Sequence, residues 1–427
     1  MGSAPAFAMV AMIGSLAFLA IIVAAVAAGA LHRGGRREDA TDPHDALVAS
    51  RFTIPVSLIV PADGAAASLS KAVDSLLSLS YPELEVIVVG EALPGHGFDV
   101  LKTEWDLEPK EFFYRRTLST APIQRIYGSR RDNRLMVVDK SAAGTADALN
   151  CGLSLARYRY VASVAPTVSL AANALLRLMS PALRDPAGVL AVAGHVEPRA
   201  DGGSVPAFQW IAFVRSWMVT RLTWSRLRCG LGPPQTVVVW RRDALLELGG
   251  FSRRATDPEL QMLGRLQTST MDRVKGQVIR SGEIVGRTDA VTLREAARSS
   301  GRRQRAVLES LLGLSLFDRS LHHRLAVVCF GIAELLIPVV QGGVLVSAVL
   351  LVVAGWVGWS TVVLVLALLT FGNAIVTAAA LLLRGAAPDA PSTSELRRLL
   401  ILSPLEFAVY RPAVALAAIL RIPFAVR

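Results

Sequence analysis

Val56-Ser-Leu-Ile-Val60 is a short β-branched run that ends at Pro61, and such a run predicts a buried parallel strand. Leu69–Leu79 follows with helical periodicity, and Glu85-Val-Ile-Val-Val89, which ends at Gly90, predicts a second strand. A strand, a helix and a strand in this order predict a right-handed crossover. The sequence therefore predicts an α/β fold with a doubly wound, mainly parallel sheet.

The same alternation continues along the chain. Ala146–Ala156 predicts a helix, Tyr158–Val164 a third strand, Asn173–Leu183 a helix and Leu190–Gly194 a fourth strand. This pattern is that of a soluble domain.

Long apolar runs flank this domain and predict membrane segments. Hydrophobic residues make up 52% of the chain and charged residues 19%, which is more apolar than an ordinary soluble enzyme. Residues 4–31, 325–354 and 356–383 are each long enough to span a bilayer. Residues 396–427 are apolar but interrupted by Glu406, Arg411 and Arg421, so a further span and an interfacial helix both remain open. The prediction is one N-terminal and two or three C-terminal transmembrane helices.

The distribution of charge sets the predicted orientation. The net charge is +11, and many arginines flank apolar runs, beginning with the cluster Arg33, Arg36 and Arg37 after the first run. By the positive-inside rule the following domain faces the cytoplasm. We therefore expect a multi-pass protein of the plasma (inner) membrane that contacts membrane lipids and no nucleic acid. The three cysteines form no CxxC pair and indicate neither a metal site nor a disulfide framework.

Four segments resemble motifs of one family. Val56-Ser-Leu-Ile-Val-Pro-Ala-Asp63 resembles VSVIVPAYNE, and Ser80–Val89 resembles YPxLEVIVV. Gly144-Thr-Ala-Asp-Ala-Leu-Asn-Cys-Gly-Leu153 resembles GKADALNAGL, and Trp240–Phe251 resembles FRRDxLxxVGGF. By their order and spacing the chain resembles a membrane-bound, polysaccharide-synthase-like family 2 glycosyltransferase with a GT-A fold.

The resemblance implies a two-part domain. Residues 51–195 would form the nucleotide-sugar-binding half, and residues 196–320 an acceptor-side half with interfacial helices, on which Trp210 and Trp217 would be aromatic anchors. Such an enzyme moves a sugar from a nucleotide diphosphate to a hydroxyl group. Mg²⁺ or Mn²⁺, held by an Asp-x-Asp pair, offsets the charge of the leaving diphosphate.

Several of the family's motifs are eroded here. After the strand Tyr158–Val164 the chain has Ala165-Pro166-Thr167 where the carboxylate pair is expected. No other Asp or Glu lies between Tyr158 and Leu183, and no Trp between Trp240 and Trp356 matches the family's Gln-x-x-Arg-Trp. The sequence therefore predicts no metal ligand, and a role for Mg²⁺ or Mn²⁺ only if the protein is active.

Asp257 matches the family's general base. It also has the position of a helix N-cap before Pro258, and one residue can do both jobs. Asp63, Glu91 and Asp147 are the nucleotide-binding candidates, although Asp147 can equally be a polar helix residue facing solvent. Arg302, Arg303 and Arg305 are candidates for contact with a phosphate or a lipid, or simply lie at a membrane surface.

Two functions follow as expectations. The preferred one is a catalytically degenerate relative that acts as a partner or scaffold of other proteins in the synthesis of a cell-envelope polysaccharide or glycolipid. The alternative is an active inverting glycosyltransferase that moves a sugar from a nucleotide-sugar to a membrane-associated acceptor.

Overall fold

A computed structural model describes residues 53–62, 69–91, 96–114, 116–219, 236–269, 276–312, 352–355, 358–385 and 391–414. The described strands are β1 (Val56–Ala62), β2 (Leu84–Glu91), β3 (Leu107–Pro109), β4 (Ile123–Ser129), β5 (Leu135–Lys140), β6 (Tyr160–Ser163), β7 (Val168–Leu170), β8 (Val189–Pro198), β9 (Thr236–Arg241) and β10 (Gln277–Thr288). The described helices are α1 (Leu69–Leu77), α2 (His96–Glu104), α3 (Thr145–Leu155), α4 (Ala174–Arg184), α5 (Ser204–Val219), α6 (Arg242–Glu247), α7 (Pro258–Thr268), α8 (Leu293–Leu312), α9 (Trp359–Gly385) and α10 (Thr393–Leu405).

All ten described strands belong to one sheet, in the order β3-β4-β5-β2-β1-β6-β9-β8-β10-β7. The strands β5, β2, β1 and β6 run parallel, as the crossover pattern predicts. The rest of the sheet is mixed: β8 and β10 pair parallel, whereas the other strand pairs are antiparallel. β9 lies between β6 and β8 and is antiparallel to both. β4 pairs antiparallel with β5, and β7 pairs antiparallel with β10. The sheet is mixed because β4, β7 and β9 run opposite to their neighbours, and only β9 of these belongs to the predicted acceptor-side half.

Helices cover both faces of the sheet, as a doubly wound fold requires. Alternate residues of β1 point to opposite faces. Leu58 packs in one core with Val73 of α1 and Leu175 of α4. Ile59 packs in the other core with helices α3 and α7. Gly152 of α3 lets this helix approach closely, since a Cβ there would lie 2.4 Å from the Ile59 side chain.

A third hydrophobic cluster joins α5 to α9 and α10. Trp210 and Trp217, expected as anchors at a membrane surface, are instead buried, at 2% and 1% exposure. Their indole N–H groups donate to Glu197 (3.2 Å) and to the carbonyl of Gly282 (2.9 Å). The expectation was wrong because each tryptophan finds its polar partner inside the protein.

Two buried ion clusters reinforce this contact. Arg384 of α9 donates two hydrogen bonds to Glu197 at the end of β8, at 3.0 and 3.2 Å. Arg215 of α5 and Arg411 both donate to Glu406, at 2.6 and 3.1 Å. Glu406, which interrupts the apolar C-terminal segment, therefore faces a protein interior and opens a π-helical turn, Glu406–Tyr410.

Among the described residues, no helix combines the length and the apolar composition needed to cross a membrane. The predicted segment 4–31, nearly all of 325–354 and residues 415–427 lie outside the described residues. The predicted boundary at residue 195 falls inside β8, so the sheet continues through it.

Candidate functional site

A cavity of about 370 Å³ opens beyond the carboxyl ends of β1 and β6. Open α/β sheets bind their ligands at this edge. Side chains and loops from both predicted halves line the cavity: Pro61, Thr145, Ser163, Val164, Ala165, Thr167, Val168, Val196, Asp257, Glu259, Leu260, Leu263, Arg280, Thr288, Asp289, Val291 and Arg303. The cavity is therefore the candidate site for a ligand.

Ala165 and Thr167, from the loop Ala165-Pro166-Thr167, line one side of this cavity. The backbone holds it in place: Val164 N–H donates to Ile59 O (3.0 Å), and the Thr288 hydroxyl donates to Thr167 O (3.3 Å). This is where the resemblance puts metal-binding carboxylates, and the loop has none. Within the described parts of the chain, no three His, Cys, Asp or Glu residues converge to hold a metal ion. The loop therefore supplies no carboxylate for Mg²⁺ or Mn²⁺, although Asp257, Glu259 and Asp289 line the same cavity.

Asp257 lies at the cavity and also begins α7. Its carboxylate accepts a hydrogen bond from Leu260 N–H at 2.9 Å, and Pro258 occupies the first turn. The N-cap interpretation of Asp257 is therefore confirmed. Its carboxylate is exposed, so the predicted role as a general base stays open beside the capping role.

Glu259 is a second carboxylate of the cavity that the sequence did not single out. It lies in the first turn of α7, beside the end of β6. Burial raises the pKa of Glu259 to about 7, a hydrogen bond with Ser163 opposes this shift, and the charge of Asp257 adds to it. Near neutral pH the Glu259 carboxyl therefore exists in both protonation states, as a proton-transfer group requires.

The raised pKa of Glu259 predicts a pH-dependent stability. Because the folded chain keeps a proton that the unfolded chain releases between the ordinary pKa near 4.5 and about 7, the free energy of unfolding falls as pH rises through this window. Glu259→Gln removes this loss, so we expect the variant to be more stable than the parent by roughly 1–3 kcal/mol at pH 8 and about equal at pH 4. Urea unfolding of both proteins at several pH values measures the difference. A constant difference from pH 4 to pH 8 would show that the carboxyl does not titrate there.

Glu91 and Asp147 are joined through Lys140, a residue that the sequence analysis missed. Lys140 is fully buried at the end of β5, and its ammonium contacts Glu91 at 2.8 Å and Asp147 at 2.9 Å. Glu91 also accepts from Ala143 N–H at 3.0 Å. Partial burial would raise the pKa of Glu91, but the hydrogen bonds from Lys140 and the backbone outweigh it and lower that pKa. Glu91 is therefore an ionised carboxylate that holds the loop before α3.

Asp147 is fully buried and does not face solvent, contrary to the alternative left open by the sequence. Besides Lys140, its carboxylate pairs with Arg253 and accepts from Ala121 N–H at 3.1 Å. These partners all come from the protein itself. The predicted nucleotide contacts of Glu91 and Asp147 stay predictions, and Asp63 lies outside the described residues.

Asn150 connects α3 to the segment that leads into α7. Its amide donates to Phe251 O at 2.8 Å, and its carbonyl accepts from Phe251 N–H at 2.7 Å. The preceding Gly249 and Gly250 have φ of +79° and +76°, which favour glycine. A Cβ on Gly250 would also lie 2.5 Å from the Asn150 carbonyl oxygen. The two glycines therefore allow the backbone before Phe251 to lie close to Asn150, whose side chain holds this segment in place.

The three predicted arginines of α8 separate in space. Arg303 lines the cavity, whereas Arg302 is exposed. Arg305 pairs with Glu309 one turn later, at 2.9 Å. A further arginine at the cavity, Arg280 of β10, was missed because nothing in the sequence marked this polar strand as part of the sheet.

No protein family model matches the chain, and no curated protein matches it by sequence. Its structure is similar to that of the mannosyltransferase PcManGT from Pyrobaculum calidifontis in complex with GDP-Man and Mn²⁺, with a TM-score of 0.56, 16% identity, and coverage of 96% of this chain and 99% of that chain. S. aureus TarS 1-349 in complex with UDP-GlcNAc gives a TM-score of 0.42 at 13% identity, covering 66% of this chain and 72% of that one.

The similarity to the mannosyltransferase shows the fold. The chain has a glycosyltransferase-like GT-A fold, an α/β mixed sheet that resembles those of glycosyltransferases using nucleotide-sugars. The expected fold class is confirmed to that extent.

Proposed function

We propose that this chain is a glycosyltransferase-like protein of cell-envelope polysaccharide or glycolipid synthesis that has lost metal-dependent transfer and acts as a partner or scaffold of an active synthase. One observation carries this proposal: Ala165 and Thr167 line the cavity where the family's carboxylate pair would hold the metal. A departing diphosphate needs positive charge to offset its own. The side chains of Ala165 and Thr167 supply no carboxylate that would hold such a metal ion.

We also propose that the protein belongs to the plasma (inner) membrane, with the GT-like domain in the cytoplasm. Exposed apolar side chains on α9 and α10 support contact with lipid: Phe371, Ile375, Leu382 and Ile401 are each at least 65% exposed. The charge-free run 4–31, followed by Arg33, Arg36 and Arg37, supports the orientation.

The second candidate function is active inverting transfer from a nucleotide-sugar to a membrane-associated acceptor. It is favoured by Asp257 and Glu259, two carboxylates that line the same cavity. In such a reaction one carboxylate takes the proton of the acceptor hydroxyl, whose oxygen forms the new bond to the sugar while the bond to the diphosphate breaks.

Asp257→Asn tests the two candidates. Asparagine caps a helix about as well as aspartate, so the variant keeps its unfolding midpoint, but it cannot accept the proton. If transfer is active, we expect turnover of UDP- or GDP-sugars by the full-length chain to fall about 10²–10⁴-fold in the variant. If transfer is lost, as we propose, neither protein shows turnover, and the chain co-purifies with a synthase that has an intact Asp-x-Asp motif.

Measurable transfer by the parent chain, abolished in Asp257→Asn at unchanged stability, would overturn the scaffold proposal. Asp201→Asn is a matched control, since Asp201 is exposed and is not part of the cavity lining.

A further inference from the structure

We propose that one exposed face of α8 docks on the anionic headgroup surface of a lipid bilayer. The charged members of this arginine face are Arg294, Arg298, Arg302 and Arg305. The docking rests on the membrane location proposed above and does not depend on whether transfer is active. It adds which charged surface of the GT-like domain meets the headgroups, and it makes this contact depend on the charge of the lipid.

The four arginines lie on one side of α8 because they recur at intervals of four, four and three residues. Residues three and four apart are neighbours on a helix surface, so this spacing forms a continuous stripe. All four side chains are exposed. The buried residues of α8 lie elsewhere on the helix, which packs against α7: Ala296, Ala297, Ala306, Val307 and Ser310. Like charges at this spacing destabilise a helix, and an anionic surface opposite them would remove that cost.

The two acids of α8 offset only part of this charge. Glu295 accepts hydrogen bonds from the N–H (3.0 Å) and the hydroxyl (2.8 Å) of Thr292 at the start of the helix. Glu309 accepts from the N–H (3.0 Å) and the hydroxyl (2.8 Å) of Thr256 and also pairs with Arg305 at 2.9 Å. Because the helix has five arginines against these two acids, it keeps an excess of positive charge.

Exposed leucines continue the arginine face toward the end of α8. Leu308 and Leu312 follow Arg305 at intervals of three and four residues and are 47% and 79% exposed. The chain then leads to the apolar run 325–354, which the sequence predicts to span a bilayer. Basic side chains on a helix beside such a segment are the pattern that attracts anionic lipids. A nucleic acid would match the arginines and leave both leucines in water, whereas a bilayer surface accommodates both kinds of side chain.

Arginine suits a contact with lipid headgroups. Its planar guanidinium donates paired hydrogen bonds to phosphate oxygens and stays charged at all relevant pH values. Near an anionic bilayer each arginine shifts the equilibrium toward contact roughly fivefold, and the attraction fades within a Debye length. The docking is therefore expected to depend on both the lipid charge and the salt concentration.

Hydrogen exchange of the full-length chain in lipid nanodiscs tests the docking. Discs of phosphatidylcholine alone are compared with discs that also contain phosphatidylglycerol, at low and at high NaCl. We expect the amides of α8 to exchange about tenfold more slowly in the anionic discs at low salt, and this difference to shrink at high salt. Glycerol phosphate added to the phosphatidylcholine discs separates a bilayer surface from a free phosphate, and we expect it to give no protection.

A double variant, Arg298→Gln with Arg302→Gln, removes half of the charged residues of the arginine face. Glutamine has nearly the helix propensity of arginine, so α8 itself is kept. We expect the tenfold difference to fall to about threefold. The matched control is Arg125→Gln with Arg131→Gln, which removes the same charge from exposed arginines of β4 and the turn after it, far from β10 in the sheet. We expect this control to keep the full difference.

The docking is overturned if α8 exchanges equally fast in both kinds of disc, or if glycerol phosphate reproduces the protection. It is also overturned if the Arg298 and Arg302 variant keeps the full difference, or if the control variant loses as much. A chain that enters the discs but ignores lipid charge would sink only the docking and keep the membrane location. A chain that enters neither kind of disc would overturn both, and none of these results bears on the scaffold role.

Discussion

Asp147→Ala is expected to lower the free energy of unfolding by about 3–5 kcal/mol, as does removal of one partner from a buried ion pair elsewhere. Asp147 is fully buried and contacts Lys140, which is also fully buried, at 2.9 Å. Without this carboxylate, the Lys140 ammonium keeps only Glu91 as a charged partner, and Ala121 N–H loses its acceptor. Urea unfolding followed by circular dichroism measures the change.

The matched comparison for Asp147→Ala is Arg130→Ala. Arg130 forms an ion pair with Glu108 at 2.8 Å, but both side chains are more than half exposed, so we expect no measurable change in the unfolding midpoint. If Asp147→Ala is as stable as the parent and only loses affinity for UDP or GDP, the buried carboxylate serves the ligand rather than the fold. That result would favour the nucleotide-binding role predicted from the sequence.

Glu197→Ala is the second change with a large expected effect, again about 3–5 kcal/mol of lost stability. Arg384 of α9 is 2% exposed and donates two hydrogen bonds to Glu197, so the variant removes this carboxylate from a buried guanidinium. Trp210 loses its acceptor as well. Since Arg384 holds α9 against the sheet, we also expect faster limited proteolysis of the C-terminal helices.

A double variant, Glu197→Leu with Arg384→Met, separates charge from packing. Replacing a whole buried ion pair with apolar residues of similar volume is often neutral or stabilising. We therefore expect the double variant to recover most of the stability that Glu197→Ala loses. A double variant as unstable as the single one would mean that the side-chain shapes, and not the Glu197–Arg384 ion pair, hold α9 in place.

Three of the four parallel central strands, β1, β2 and β6, were predictable because they are short runs of mostly apolar residues. Val56–Val60 and Glu85–Val89 match β1 and β2 apart from their ends. In contrast, β10 contains Arg280, Ser281, Glu283 and Arg287, so its hydrophobic pattern is weak. It forms a strand because β8 provides a long partner, which no local pattern reveals.

Residues of the candidate site could be predicted where they belong to a sequence motif. Residues that reach the site only through the pairing of distant strands could not. Asp257 was found through its place after the Gly-Gly-Phe segment, and its capping role through Pro258. Lys140 ends a strand that was not recognised, and its partner Glu91 stands opposite it in the register of β2 and β5. Glu259 carried one signal, an acid in the first turn of a helix that starts at the cavity.

The double hydrogen bond between Asn150 and Phe251 limits how this protein can be recombined with others. Because it joins residues 101 positions apart, and because β8 crosses residue 195, no cut near that point yields two independent modules. A hybrid that takes residues 196–320 from a protein of the same fold would also need the α3 helix of that protein. Otherwise it would need an asparagine placed to bond the imported Gly-Gly-Phe backbone as Asn150 does here. We therefore expect that functional hybrids of such proteins take α3 and the segment Gly249–Phe251 from the same parent.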